Sequence, residues 1–226
     1  MKIISWNCSQ ALRKKFGRLE QFNADIIVCQ EAEKLPRNYF KNYHYQWIGH
    51  NTNKGIGILV KKHPFSISNN FNQNLTYYLP IDFDNFNLLN VWTHTNASNI
   101  GPDANSNIID TLDYYKDWIA SKKQAIIIGD FNNSRKFDES KLCEIKFIDI
   151  KAYLNELGFE SSYHLFFKEE FGEENSPTLY HLKKITSPFH IDYAFIRGFN
   201  LKSVEVGKRD DWIDLSDHMP IIIEID

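Results

Sequence analysis

Apolar residues in this chain fall into two arrangements. Short unbroken runs occupy residues 2–6, 25–30 and 125–129. The runs Ile26-Ile27-Val28-Cys29 and Ala125-Ile126-Ile127-Ile128 show no alternation, so they suit strands covered on both faces. Elsewhere the spacing is helical. Leu12, Phe16, Leu19 and Phe22 make one stripe over residues 11–22. Ser9 is its expected N-cap. Ile108, Leu112, Tyr115, Trp118 and Ile119 make a second stripe over residues 107–122. A third helix is expected over residues 148–157, ended by Gly158.

The middle of the chain reads as strands at 45–48, 56–61, 76–82 and 86–93, divided by Asn, Gly and Pro. Phe83-Asp84-Asn85-Phe86 is a hairpin turn. Gly55-Ile56-Gly57-Ile58 marks a strand packed very closely against a neighbour. After a polar loop at 96–106 and the second helix, further strands are expected at 190–196, 202–207 and 219–225. No linker or short repeat interrupts this rhythm. It predicts one domain over residues 1–226, with two sheets packed face to face and helices outside.

Composition refines this picture only a little. The 226 residues are 42% hydrophobic and 24% charged, ordinary values for a globular protein. Aromatics reach 15%, so many are core and some are free to serve a substrate. Trp47, Tyr163, Phe166 and Trp212 are the candidates for a base-stacking platform. Cys8, Cys29 and Cys143 cannot all pair, and no two have zinc-ligand spacing. Sparse cysteine and the lack of a signal-like start lead to an expected cytoplasmic location. No apolar stretch reaches membrane-spanning length, so no membrane role is expected. Nor does anything call for an obligate protein partner, and a monomer is expected. A net charge of −3 argues weakly against a broad nucleic-acid-binding surface without excluding one.

The informative signal is where the polar residues stand. Asn7, Glu31 and His94 each follow an apolar strand run, and Asp130 and Asn132 follow another. Strand ends opening on one edge let a sheet scaffold gather distant side chains into one site. Glu, Asp and Asn supply the oxygen ligands that a hard cation such as Mg2+ prefers. The soft ligands that select zinc or copper are missing. Magnesium held by few protein groups keeps open positions for phosphate oxygens, and a nearby histidine can move protons near neutral pH.

Six segments carry a family resemblance: Ser5-Trp6-Asn7, Gln30-Glu31, Thr93-His94-Thr95, Gly129-Asp130-Phe131-Asn132, His190-Ile191-Asp192-Tyr193 and Ser216-Asp217-His218-Met219-Pro220. In this order, over nearly the whole chain, they resemble the endonuclease/exonuclease/phosphatase superfamily of exonuclease-III-like and DNase-I-like enzymes. The resemblance implies a four-layer α/β/β/α sandwich and a divalent-metal-dependent phosphoesterase using Mg2+, with Mn2+ as a substitute. It implies that Glu31, helped by Asn7 and Asp217, binds the metal. Asp130 and Asn132 position water and phosphate or hold a second metal, and His218, oriented by Asp192, contacts the phosphate. His94 matches the position that stabilises the phosphate or the leaving group. Either Asp130 or the Asp192–His218 pair can serve as the general base; a carboxylate beside an imidazole raises its pKa, which favours Asp130.

Each residue also has a plain structural reading. Asp130 and Asn132 suit an Asx turn, and Asp217 an ordinary turn. Asp192 in an apolar strand is costly unless paired. His190, two residues earlier, reads as a supporting or substrate-binding residue. Arg13-Lys14-Lys15 reads as a solvated helix turn, and His181 with Lys183 and Lys184 as a basic loop. The expected substrate is nucleic acid, DNA before RNA. The rival is a small phosphorylated molecule or lipid headgroup, for which Lys183, Lys184 and Arg197 are the available cations. A non-catalytic binding protein is disfavoured, because every expected catalytic residue type is present.

Overall fold

The computed structural model describes residues 1–75, 77–93, 108–141 and 143–226. The chain opens with strand β1 (Lys2–Asn7), helix α1 (Leu12–Glu20), β2 (Ile26–Ala32), β3 (His44–Asn51) and β4 (Lys54–Val60). It continues through β5 (Phe65–Ile67), β6 (Tyr78–Phe83), β7 (Phe86–Trp92), α2 (Ile108–Ala120), β8 (Gln124–Asp130) and α3 (Phe147–Glu156). Last come β9 (Glu160–Ser161), α4 (Ser162–Phe167), β10 (Leu179–Tyr180), β11 (Pro188–Phe189), β12 (Asp192–Arg197), β13 (Leu201–Val206), α5 (Arg209–Trp212) and β14 (Ile221–Ile225).

Two six-stranded mixed sheets result. One runs β13-β14-β1-β2-β4-β3 and the other β5-β6-β7-β8-β12-β9. They face each other, with β1 and β2 against β8 and β4 against β7. The unbroken apolar runs now have their cause. Ile3, Ile26, Val28, Ile126 and Ile128 fill the space between the sheets. Ile4, Ile27 and Cys29 point the other way, onto Leu12, Phe16 and Leu19 of α1. Ile127 packs with Leu112 and Tyr115 of α2 and Ile150 of α3. Three apolar layers therefore separate four structural layers, the expected α/β/β/α sandwich. Among the described residues, no helix is long and apolar enough to cross a membrane.

Polar groups enter the layer between the sheets near one end. Gln30 donates to Asn90 across the sheets at 2.8 Å, and Asn90 donates to the Gly57 carbonyl at 3.0 Å. Both amide nitrogens and the Asn90 oxygen are thereby satisfied, while Gln30 Oε1 is left buried without a partner. The predicted tight packing at Gly55 is present, since a Cβ there would lie 2.4 Å from the Ile48 carbonyl oxygen.

Several expectations need correction. Ser9 does not cap α1. Ser9, Gln10 and Ala11 all have positive φ, and Ala11 precedes the helix with no side-chain cap. The chain makes a left-handed passage there, held by the Ser9 N–H on Asn7 Oδ1 and the Gln10 N–H on the Glu31 carbonyl, both at 3.1 Å. The strand expected from residue 190 begins at Asp192, so β-alternation does not reach back to His190. The expected strand at 76–82 is β6, from Tyr78, with Thr76 outside the described residues. Short elements without a long apolar period, β5, β9, α4, α5 and the β10–β11 hairpin, have no counterpart in the sequence pattern.

Candidate active site

Strand direction brings the site residues to one edge. β1 and β2 run parallel, as do β7 and β8, so their C-terminal ends share a side. β12 is antiparallel to β8, and its first residue, Asp192, pairs with the last residue of β8, Asp130. β14 is antiparallel to β1, with Ile221 opposite Ser5, so the loop before it carries Ser216, Asp217 and His218 to the same edge. Ser216 Oγ fixes that loop by donating to the Asn7 carbonyl at 2.8 Å and accepting the His218 N–H at 3.1 Å. Trp6 Nε1 donates to the His218 carbonyl at 2.9 Å.

The deepest part is a buried trio. His218 Nδ1 lies 2.9 Å from Asp192 Oδ2, and its Nε2 lies 3.9 Å from Asp130 Oδ2. One ligand-type atom from each of Asp130, Asp192 and His218 falls within 4.8 Å of the others. Asp130 Oδ1 accepts the Asn132 N–H at 2.8 Å, which is the plain Asx turn. Asp130 Oδ2 meanwhile accepts from Asn7 Nδ2 at 2.9 Å and Asn132 Nδ2 at 3.2 Å. The turn and the link to Asn7 thus use different oxygens of one carboxylate. Burial, joined by the charge of Asp192, raises the Asp130 pKa. Burial alone would lower that of His218, but Asp192 and Asp130 outweigh it and push it up to about 10.

Glu31 stands apart from that trio. The β2–β4 register shifts between Cys29 and Ala32, and Glu31 has φ 55°. A bulge with left-handed backbone re-aims a side chain out of its ladder, and such strain gathers at functional sites. The Glu31 carboxylate is partly exposed. It lies 3.4 Å from Asn7 Nδ2 and 3.3 Å from Lys54 Nζ. Lys54 also rests 5.1 Å from the Trp92 ring centroid, on the opposite sheet.

The other expected residues are distributed as follows. Asp217 lies between Ser216 and His218. Its carbonyl accepts the Tyr180 N–H at 2.8 Å, and its charge acts on both His218 and Lys15. Asn132 has φ 45° and reaches the Thr93 carbonyl at 2.7 Å. His190 is buried behind Asp192, with Nδ1 on the Ser176 carbonyl at 2.9 Å and its ring against Tyr163 and Tyr193. His94 lies outside the described residues.

Some peripheral readings change. Lys15 is not simply solvated. It is half-buried, its Nζ donates to the Cys8 carbonyl at 2.5 Å, and it senses Lys183, Asp217 and Glu31. Arg13 pairs with Glu33. Tyr163 and Trp212 are core residues, which removes them as stacking platforms. Arg197 sits at the far end of β12, donating to the Ile119, Lys122 and Leu157 carbonyls at the ends of α2 and α3. It is a helix-end clip and not a phosphate ligand. Lys54 escaped notice in the sequence. Its only signal is a cation immediately before the close-packed Gly55-Ile56-Gly57 strand.

The β10–β11 hairpin is tied directly to the loop that carries His218. Leu179 bridges to His218, and Met219 N donates to the Thr178 carbonyl at 2.7 Å. Thr178 Oγ1 accepts the Asp192 N–H at 3.0 Å. The tip carries His181, Lys183 and Lys184, together with Leu182 and Ile185, which are 65% and 68% exposed.

Solved structures resemble this architecture over its whole length. A 3′ phosphatase from Neisseria bound to a product DNA hairpin is 18% identical with a TM-score of 0.76, covering 100% of this chain and 99% of that one. A 3′-5′ exonuclease from Neisseria meningitidis is 17% identical with a TM-score of 0.77, covering both chains completely. An AP endonuclease from Archaeoglobus fulgidus is 15% identical with a TM-score of 0.70, covering 100% of this chain and 99% of that one. No curated protein sequence matches the chain. Residues 4–218 match the family described as Endonuclease/Exonuclease/phosphatase, and the chain, a divalent-metal-dependent phosphoesterase, belongs to that family.

Proposed function

We propose that this protein is a magnesium-dependent nuclease that hydrolyses phosphodiester bonds in DNA. The observation that carries the reading is a buried Asp130–Asp192–His218 trio, together with a rim of lysines from three distant segments gathered about Glu31 and Asp217. Lys15 comes from α1, Lys54 from β4 and Lys183 from the β10–β11 hairpin. Such a rim can hold a polyanionic backbone even on a chain whose net charge is −3. The exposed Leu182 and Ile185 add apolar contacts of a kind suited to bases. Two of the similar structures are a DNA-bound 3′ phosphatase and an AP endonuclease, which also favours DNA over RNA.

The residues fit a hard cation. The donors are chiefly carboxylate oxygens, with Asn7 offering the Oδ1 that now accepts the Ser9 N–H while its Nδ2 faces Glu31 and Asp130, and the Lys54 ammonium shows that positive charge is accepted beside Glu31. Glu31, with Asn7 and Asp217, would hold the ion, and Asp130 stands next to Asn7. When bound, the ion supplies Lewis-acid polarisation of a phosphate oxygen. Mn2+ shares the oxygen preference and should substitute.

The chain's own groups divide the remaining work. Asp130, with its raised pKa, takes a proton from the attacking water as the water oxygen bonds to phosphorus. His218, held as imidazolium by Asp192, donates a hydrogen bond to the charge developing on the phosphoryl oxygens. Asn132 and Asn7 fix the Asp130 carboxylate. The P–O bond to the leaving oxygen breaks, that oxygen takes a proton from solvent, and Asp130 returns its proton to solvent to close the cycle.

The test is a Mg2+ and Mn2+ panel on plasmid DNA, single-stranded RNA, an abasic-site duplex, a 3′-phosphorylated hairpin and a soluble inositol phosphate, with Asp130→Asn as the blank. Metal-dependent turnover of DNA substrates, lost in the blank, is expected. Turnover of the inositol phosphate alone would overturn the nuclease reading. The placement of Arg197 already takes one cation away from that rival.

A further inference from the structure

Each half of the site carries its own internal cation. His218 serves the buried carboxylates, and Lys54 serves Glu31. The two are not equivalent. His218 is buried and held by two carboxylates. Lys54 is about a third exposed and makes one 3.3 Å ion pair, on a long side chain leaning on Trp92. Its backbone is nevertheless rigidly placed. Asn51 pairs with Lys54 across the β3–β4 turn, Ala32 pairs with Gly55, and there is no room for a Cβ at Gly55. The anchor is therefore fixed while the ammonium is free to exchange partners.

We infer that Lys54 is a positioning residue that couples metal binding to substrate binding by exchanging Glu31 for a substrate phosphate. With neither ligand present, the ammonium neutralises Glu31 and opposes entry of a divalent ion. An incoming phosphate offers the ammonium a second anionic partner at the seam between the sheets. Lys54 then releases Glu31 to the ion and remains as a counter-charge on the phosphate. By linkage, phosphate raises metal affinity by the same factor as metal raises phosphate affinity. This rests on the proposed role of Glu31 as a metal ligand.

The experiment measures Mn2+ binding by electron paramagnetic resonance and by calorimetry, on the full chain, with and without inorganic phosphate. Wild type, Lys54→Met, Lys54→Arg and Glu31→Gln are compared. Lys54→Met should bind Mn2+ about tenfold tighter in the absence of phosphate, because a like charge beside the ligand is gone. The mutual enhancement between Mn2+ and phosphate should fall to what direct contact between ion and phosphate supplies, several-fold below wild type. Lys54→Arg should keep both the weaker affinity and the coupling. Lys54→Met binding Mn2+ no tighter than wild type, while Glu31→Gln loses binding, overturns the Lys54 exchange alone. Glu31→Gln binding Mn2+ as wild type does overturns both the ligand assignment and this inference. Thermal melts of each variant separate these outcomes from unfolding, and the partly exposed side chain of Lys54 makes loss of fold unexpected.

Discussion

The two halves of the site use the same kinds of residue in opposite ways. On the second sheet, Asp130 and Asp192 are buried at the junction of β8 and β12 and share one imidazole. On the first sheet, Glu31 is turned out of its ladder by a bulge and meets an exchangeable lysine. Charges interact more strongly where solvent is excluded, so the buried half is electrostatically stiff and its protonation is set by neighbours. An ion pair reached by solvent contributes little by itself, so the Glu31 half stays open to a metal or a phosphate. A site that must bind and release an ion, and also hold a proton in place, needs one half of each kind.

The largest effect should come from breaking the stiff half. Asp192→Asn and His218→Ala should each lower kcat by roughly 10²–10⁴-fold, the scale of a positioned proton-transfer group, with far smaller changes in KM. Steady-state kinetics on a DNA substrate checks this. Wild-type turnover in His218→Ala would remove the trio from the chemistry.

Glu31→Gln should act through the metal. The concentration of Mg2+ giving half-maximal rate should rise by about 10–100-fold, with saturating metal recovering part of the rate. If Glu31→Gln and Asp130→Asn respond identically to added metal, the division between the halves fails.

The third test follows the proton. In the metal-free protein, NMR titration should show His218 protonated throughout pH 6–8 and losing its proton near pH 10. Because this folded value lies above the ordinary imidazole value of 6.5, the stability it contributes is fully present below about pH 6.5. It is lost as pH rises through the folded value. Denaturant titrations at pH 6, 8 and 10 should therefore show wild type converging on Asp192→Asn as pH rises. A His218 that titrates near 6.5 would contradict the stiffness of this half.

The smallest effect is expected at the rim. Lys183→Ala should weaken DNA binding a few-fold and reduce the slope of log affinity against log salt by about one phosphate contact. Leu182→Ser should weaken binding without altering that slope. Equal loss of slope in both variants would deny the hairpin its mixed apolar and ionic role.

The amino-acid sequence determined much of this molecule. Runs such as Ile26-Ile27-Val28-Cys29 could be satisfied only by apolar layers on both faces, and Ile27 and Val28 do face different layers. The stripe from Ile108 to Ile119 could be only a helix with one buried face. Asn7, Glu31 and Asp130 at the ends of apolar runs announced a shared sheet edge, because parallel strands end together. Asp192 in an apolar segment announced a partner, because a lone buried charge is too costly. What tertiary structure decided depends on pairing between distant segments. The left-handed passage at residues 9–11 is held by Asn7 and by the Glu31 carbonyl from the neighbouring strand. Arg197 went to two helix ends and not to the site. The bulge that aims Glu31 is a property of the β2–β4 register, which no local period encodes. Lys54 became a site residue only because β4 lies beside β2 and faces β7, and those neighbours exist only once both sheets have formed.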